Sequence, residues 1–522
     1  MDNFSYKSLT DHELVEIFKD RKFKIPLKRT QLISLAFVAG QKLNSVCYWL
    51  PVRSGKTIAA LATTQLWNCD KILVVCPNSA FEAWSRDTPK FTDYTCEFLI
   101  GTRSDRIYKL RHTDKNIYII NYEGLKSIYA YLHPGDKANK GKWEICYDEF
   151  VDNFDCVIFD EVHKTTNYSA IQSNICYELS KRSKFCIGMS ADPINKHYLE
   201  LFNVYKAIDL GETFGNNFFA FRNKYFRSIN LINGKTKKSF KKWVLKHDAE
   251  KMILERISKR SISFKRSECS KVPDNKPTRI DVEPSEEFLE WQRKIIENDE
   301  IRVNDVPVDV SNATIKGQKL LQLSAGFIYI EQFYPEDVPT ADELEFLPEA
   351  NKRKTHDVCR LKTNPKLDTL IDLINLCAGK ILIWHHYTEE AHIIEEALTK
   401  NGIEFIAMRG SIKESKKSVM DKFNSKPEIK VLLVQQSVCE GFDAKVAPNM
   451  IFYTPVAGPR LRNQCEGRIK GDGQIDDYRI YDLIMKGSFD EKVIKSLRKN
   501  TNFKAAVMAY IRKFRKIDGG LK

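Results

Sequence analysis

Two short runs of this 522-residue chain carry residue types suited to handling phosphate. The first is Arg53-Ser-Gly-Lys-Thr57, where a glycine precedes a lysine and a hydroxyl residue. Backbone N–H groups in such a turn, set at the start of a helix, cradle phosphate oxygens, and the helix dipole adds to the attraction. Lys56 then reaches the outer phosphates of a nucleotide, and Thr57 offers its hydroxyl to Mg2+. Arg53, Ser54 and Gly55 complete the loop. The first glycine of the common G-x-x-x-x-G-K-[ST] pattern would fall at position 50, which is Leu50, so the loop matches that pattern only in part. The second run is Phe154-Asp-Cys-Val-Ile-Phe-Asp160-Glu161-Val-His163. Paired carboxylates after an apolar stretch provide one group to hold Mg2+, Asp160, and one to orient or deprotonate an attacking water, Glu161.

Each run needs a strand to deliver it. Gln41–Leu50 supplies one before the lysine loop, and the apolar segment Ile58–Trp67 reads as the helix after it. Apolar runs at Lys71–Cys76, Ile117–Asn121, Cys156–Asp160 and Phe185–Met189 form one group of expected strands, separated by amphipathic segments. Lys380–Trp384, Glu404–Met408, Lys430–Val434 and Met450–Tyr453 form a second group. Short continuous apolar strands alternating with helices predict parallel sheets covered on both faces, hence two α/β lobes. Asp160 and Glu161 then sit at the carboxyl edge of a parallel sheet, where ligands bind.

Composition narrows the class. Hydrophobic residues are 43% and charged residues 29%, a globular balance. The longest apolar runs are strand-length, far short of the roughly 20 residues of a membrane span. The chain starts Met1-Asp-Asn-Phe-Ser without an apolar leader, so an intracellular protein is expected. Thirteen cysteines without a C-x-x-C pair read as reduced residues, neither a disulfide frame nor a zinc site. The net charge is +14, and residues 222–266 alone hold fifteen Lys/Arg against three Asp/Glu. That run is either a solvated surface or, with Tyr225, Phe226, Phe240, Trp243 and Phe264 interleaved, a surface for the phosphate backbone of a nucleic acid. The segment Pro335–Pro348 is acidic and reads as a surface loop.

Asp160-Glu-Val-His163 resembles the D-E-x-H box of helicase superfamily two, and its surroundings resemble the Swi/Snf-type DNA translocases. Val74–Trp84 is similar to that family's motif Ia, Ile119-Ile-Asn-Tyr-Glu123 to motif Ib, and Gly188–Asn195 to motif III. Asn364-Pro-Lys366 and Lys380–Trp384 resemble the entry to the second lobe and motif IV. Gln435–Asp443 resembles motif V, Gln464–Gln474 motif VI, and Gly487-Ser-Phe-Asp-Glu-Lys492 the last helix start. The resemblance spans about residues 25–500 with its motifs in order. It implies two RecA-like parallel-sheet lobes with helical insertions and ATP with Mg2+ between them. Residues 1–200 are then the ATP-binding lobe, 201–275 a basic helical insertion, 276–360 a helical insertion and linker, and 361–522 the second lobe. The resemblance gives Gln31 to the adenine edge, Arg468 to the γ-phosphate as an arginine finger, and Gly441, Asp443 and Gln464 to the ATP site from lobe two. It points Arg409, the Asn78–Ser79 segment and the basic insertion, with Lys237, Lys238, Lys241 and Lys242, toward DNA.

Two positions depart from the family pattern. Motif III has Asp192 where Thr is usual, and motif VI has Gly471 where a second Arg is usual. The function implied is an ATP-driven motor on duplex or branched DNA, acting in replication, recombination or repair. The compact form points to a cytoplasmic setting, including that of a phage-infected bacterial host, with no membrane partner. An RNA helicase, or a DNA-binding scaffold with weak ATPase activity, is the alternative.

Overall fold

Ser45–Trp49 (β1) is buried along its whole length. A strand with no exposed residue must be covered on both faces, as in the middle of a parallel sheet. Its sheet also contains β2 (Ile72–Cys76), β3 (Cys96–Phe98), β4 (Ile117–Asn121), β5 (Cys156–Asp160) and β6 (Phe185–Ser190). Further along come a hairpin, β7 (Phe226–Ile232) with β8 (Ser239–Leu245), and then β9 (Ser261–Ser263). Among the described residues the sheet has 7 strands in the order β9-β1-β6-β5-β2-β4-β3, all parallel. This is a computed structural model that describes residues 6–21, 23–133, 142–145, 153–166, 170–191, 197–232, 239–264, 266–269, 276–331, 356–410, 414–456, 458–470 and 478–499.

The side-chain period of two divides each strand between the two faces. Val46, Tyr48, Ile72, Val74, Ile117, Ile119 and Ile158 pack into one core with the helix Arg29–Gly40 (α1) and the helix Lys56–Leu66 (α2). Cys47, Leu73, Val75, Tyr118, Val157 and Phe159 pack into the other, with Leu125, Leu179 and Tyr205 from helices on that side.

The chain divides into two compact units, residues 1–271 and 272–522. The second unit repeats the plan. Thr278–Val282 (β10), Ile381–His385 (β11), Phe405–Met408 (β12), Val431–Gln435 (β13), Asn449–Phe452 (β14) and Arg479–Met485 (β15) form a parallel sheet in the order β10-β15-β14-β11-β13-β12. Its two faces again bury alternate residues, Leu382, Trp384, Leu432 and Val434 on one side and Ile381, Ile383, Val431 and Leu433 on the other. Lys366 and Asp490, both fully buried, are ion-paired at 2.6 Å and tie the Asn364-Pro-Lys segment to the last helix start.

The two α/β lobes are as expected from the apolar runs, but the stretch between them differs. Residues 201–275 are not a purely helical insertion. They contain the β7–β8 hairpin, and β9 from the same stretch is the edge strand of the first sheet. Likewise β10, from the stretch expected as insertion and linker, is the edge strand of the second sheet. Alternating β-branched, aromatic and long residues in 226–232 and 239–245 favour strands, and the high charge density hid that pattern. The Pro335–Pro348 segment lies outside the described residues.

Candidate nucleotide-binding and catalytic site

Strand register brings the two chemistry-bearing runs together. Trp49 at the end of β1 pairs with Ser190 at the end of β6, and Met189 pairs with Asp160 at the end of β5. The lysine loop, the carboxylate pair and Ser190 therefore share one carboxyl edge. Leu50 is buried, and its N–H donates to the Ser190 carbonyl at 3.2 Å, so it extends the strand in place of opening the loop. The turn falls instead to Arg53 and Gly55, at φ +64° and +85°. Gly55 suits that backbone because it has no Cβ to clash. Helix α2 starts at Lys56 without a side-chain cap, which leaves its first N–H groups available to an anion. The buried Ser54 hydroxyl donates to the Pro51 carbonyl at 2.8 Å. Lys56 Nζ donates to the carbonyls of Leu50, at 3.2 Å, and Pro51, at 3.5 Å. Thr57, the second residue of the helix, is half-buried beside it.

Gln31 is brought to this loop from α1. Its Oε1 accepts from the Lys28 N–H at 2.8 Å, and its Nε2 donates to the Gly55 carbonyl at 3.3 Å. The amide that the resemblance gives to a base edge is thus a strut under the turn at Gly55.

Asp160 is buried, and Glu161 follows it in left-handed backbone at φ +55°. The turn swings Glu161 toward Ser190, whose hydroxyl donates to Glu161 Oε2 at 2.9 Å. His163 Nδ1 lies 3.2 Å from both the Ser190 hydroxyl and Glu161 Oε2. A carboxylate held from two sides in this way is oriented for work on a water molecule. Asp160 takes the indole N–H of Trp84 on Oδ2 at 3.1 Å, while the Tyr122 hydroxyl donates to its backbone carbonyl at 2.9 Å. Burial and the neighbouring Glu161 push the Asp160 carboxyl up to about 6, although Lys56 opposes the shift. A buried carboxylate beside a second carboxylate suits a divalent cation. Among the described residues no group of three or more His, Cys, Asp and Glu could hold a metal. Mg2+ at this edge would therefore rest on Thr57, Asp160, water and phosphate oxygens, a sparse protein set typical of that ion.

An acid whose folded pKa exceeds its unfolded one, as at Asp160, costs stability once ionised. The cost is absent below about pH 4 and grows to its full size as the pH rises past about 6. Asp160→Asn should therefore stabilise the protein at pH 7.5 by about 2–3 kcal/mol, measured by urea unfolding without nucleotide or Mg2+. The gain should vanish near pH 4, and an equal gain at both values would remove ionisation as its cause.

In the second unit, motifs V and VI hold each other. Arg468 Nε donates to the Gln464 carbonyl at 3.1 Å and Nη1 to the Phe442 carbonyl at 3.0 Å. Gln464 Nε2 donates to Glu440 at 3.1 Å. Lys416, which no sequence motif singles out, donates to the carbonyls of Val438, at 3.0 Å, and Glu440, at 2.5 Å, and so shapes the same loop. Gly441 turns at φ +82°, and Asp443 is exposed beside it. Arg409 is ion-paired with Glu395 at 2.5 Å. Lys241 is exposed on β8, and Lys242 follows it in the strand. Lys237, Lys238, Asp192 and Gly471 lie outside the described residues. Trp84, Tyr122 and Ser190 fall within the sequence motifs, but only their hydrogen bonds give them a role at Asp160 and Glu161.

Residues 13–195 match the family model "Type III restriction enzyme, res subunit", and residues 365–470 match "Helicase conserved C-terminal domain". The chain is 24% identical over 349 residues to the "Uncharacterized ATP-dependent helicase YqhH" of Bacillus subtilis, covering 66% of this chain and 58% of that protein. It is 22% identical over 454 residues to the "DNA repair and recombination protein RDH54" of Saccharomyces cerevisiae, covering 83% of this chain and 46% of that one. The chain thus spans about half the length of these relatives. Among solved structures it is similar to the Sulfolobus solfataricus SWI2/SNF2 ATPase core in complex with dsDNA, at 17% identity and a TM-score of 0.40, with 92% of each chain covered. With its motifs in order on two parallel α/β lobes and a matching model on each lobe, the chain belongs to helicase superfamily two.

Proposed function

We propose that this chain is a DNA-dependent ATP hydrolase that uses turnover to translocate on or remodel DNA, in recombination, repair or replication. The observation that carries the reading is the one edge of the first sheet where Lys56, Asp160, Glu161 and Ser190 meet. Lys56 exchanges the carbonyls of Leu50 and Pro51 for phosphate oxygens. Arg53, Ser54 and Gly55 present backbone to the same phosphates, Gln31 meets the adenine, and Thr57 and Asp160 hold Mg2+. The metal, when bound, neutralises charge on the outer phosphates. Glu161, oriented by Ser190 and His163, positions the attacking water and accepts its proton. Arg468 supplies a planar cation to the charge developing on the transferred group, with Gly441, Asp443 and Gln464 shaping its surroundings.

The test is ATP hydrolysis measured with duplex DNA, branched DNA, single strands and RNA as stimulators. Stimulation by duplex or branched DNA supports the reading. Stimulation by RNA alone replaces it with an RNA helicase, and DNA binding without stimulated turnover replaces it with a scaffold.

The basic hairpin and Arg409 are the proposed track residues. Replacing Lys237, Lys238, Lys241 and Lys242 together with Ala should weaken DNA binding on all sequences alike. It should make the slope of log K against log salt shallower by roughly one for each phosphate no longer neutralised. Fluorescence anisotropy over a salt series reads this, and an unchanged slope returns the hairpin to a solvated surface.

A further inference from the structure

Two buried hydrogen bonds converge on Asp160 from segments that also reach the surface. Trp84 belongs to the helix Phe81–Phe91 (α3), which continues from the short turn Asn78–Ala80 after β2. Asn78 is exposed and Ser79 half-buried, while Trp84 is wholly buried and donates to Asp160 Oδ2 at 3.1 Å. Tyr122 opens the helix Tyr122–Tyr129 (α4) directly after β4. It too is wholly buried, and its hydroxyl donates to the Asp160 carbonyl at 2.9 Å. The ammonium of the exposed Lys164 stands 5.8 Å from the centre of the Tyr122 ring.

Buried indole N–H and phenol O–H groups must find partners, and any acceptor would satisfy that need. Here both choose one residue, one gripping its carboxylate and the other its backbone. Ser79 and Trp84 lie on one continuous turn and helix, about one and a half helical turns apart. Lys164 meets the Tyr122 ring in a cation–π contact. We infer that the surface at Asn78–Ser79 and the exposed Lys164 engages nucleic acid, and that Trp84 and Tyr122 are positioning residues that report this engagement to Asp160, one through its carboxylate and the other through its backbone. The inference rests on the DNA-dependent ATPase proposed above. It assigns to two side chains, neither of which touches nucleotide, the coupling of track to chemistry.

The test compares kcat with and without saturating duplex DNA for the wild-type protein, Trp84→Phe, Tyr122→Phe and the double variant. Each substitution removes one donor and keeps an aromatic ring, and melting temperatures establish that the variants are folded. The ratio of DNA-stimulated to DNA-free kcat should fall roughly five- to tenfold in each single variant. The double variant should fall by less than the product, because both bonds act on one residue. A purely structural role would lower both rates in proportion and leave the ratio intact. A wild-type ratio in both folded single variants would overturn the coupling alone. Absence of stimulation in the wild-type protein would overturn the DNA-dependent ATPase and this inference with it.

Discussion

Lys56→Ala should lower kcat/KM for ATP by at least about 10³-fold while the protein stays folded. Lys56 follows Gly55 at the uncapped start of α2, beside Asp160. Its ammonium can move onto outer phosphates, because its hydrogen-bond partners among the described residues are two backbone carbonyls. Those carbonyls can take water instead, so the substitution costs little stability. Circular dichroism and a melting curve check the fold, and a coupled phosphate-release assay reads the rate. Lys56→Arg should restore charge but not function, since the guanidinium fork is wider than an ammonium in a turn built around Gly55. A wild-type rate in Lys56→Ala would remove this loop from the chemistry.

Arg468→Ala should lower DNA-stimulated kcat by about 10³-fold and raise KM far less, because a finger acts on charge that develops only in the transition state. Two of the guanidinium's hydrogen bonds go to the carbonyls of Gln464 and Phe442, so the group is held by motifs V and VI. Arg468→Lys should recover little of the loss, since it keeps charge without the planar fork. The nearby Lys470 cannot stand in, because its ammonium is buried and ion-paired with Glu466 at 2.7 Å. Gly471→Arg restores the usual motif, and a rise in kcat would show that its absence limits the rate. Full DNA-stimulated kcat in Arg468→Ala would exclude this arginine from the proposed chemistry.

Much of the fold was legible because buried parallel strands announce themselves. Five-residue runs such as Ile72–Cys76 and Val431–Gln435 have little local alternative to a strand covered on both faces. The turn into the helix at Lys56 was legible in spite of Leu50, because glycine before lysine and a run of good helix formers afterwards suffice to define a turn that opens a helix. Strand β9 was not legible. Ser261–Ser263 is three residues inside a basic run, and only its pairing with Cys47, Tyr48 and Trp49 makes it a strand. The hairpin was masked similarly, since cross-strand pairs such as Trp243 with Ser228 exist only after the chain turns back.

The sequence by itself determined two α/β lobes, a glycine-lysine-threonine loop, a carboxylate pair and an arginine in the second half of the chain. Those are local matters of residue type, apolar run and turn chemistry. Tertiary structure alone decided which groups hold them. Trp84 and Asp160 are 76 residues apart, and Tyr122 and Asp160 are 38 apart, yet each pair shares a buried hydrogen bond. Ser190 reaches Glu161 only because β5 and β6 pair in register and Glu161 turns at positive φ. Partner choice among buried donors depends on which strand lies beside which, and that order comes from packing the whole sheet rather than from any neighbouring residue.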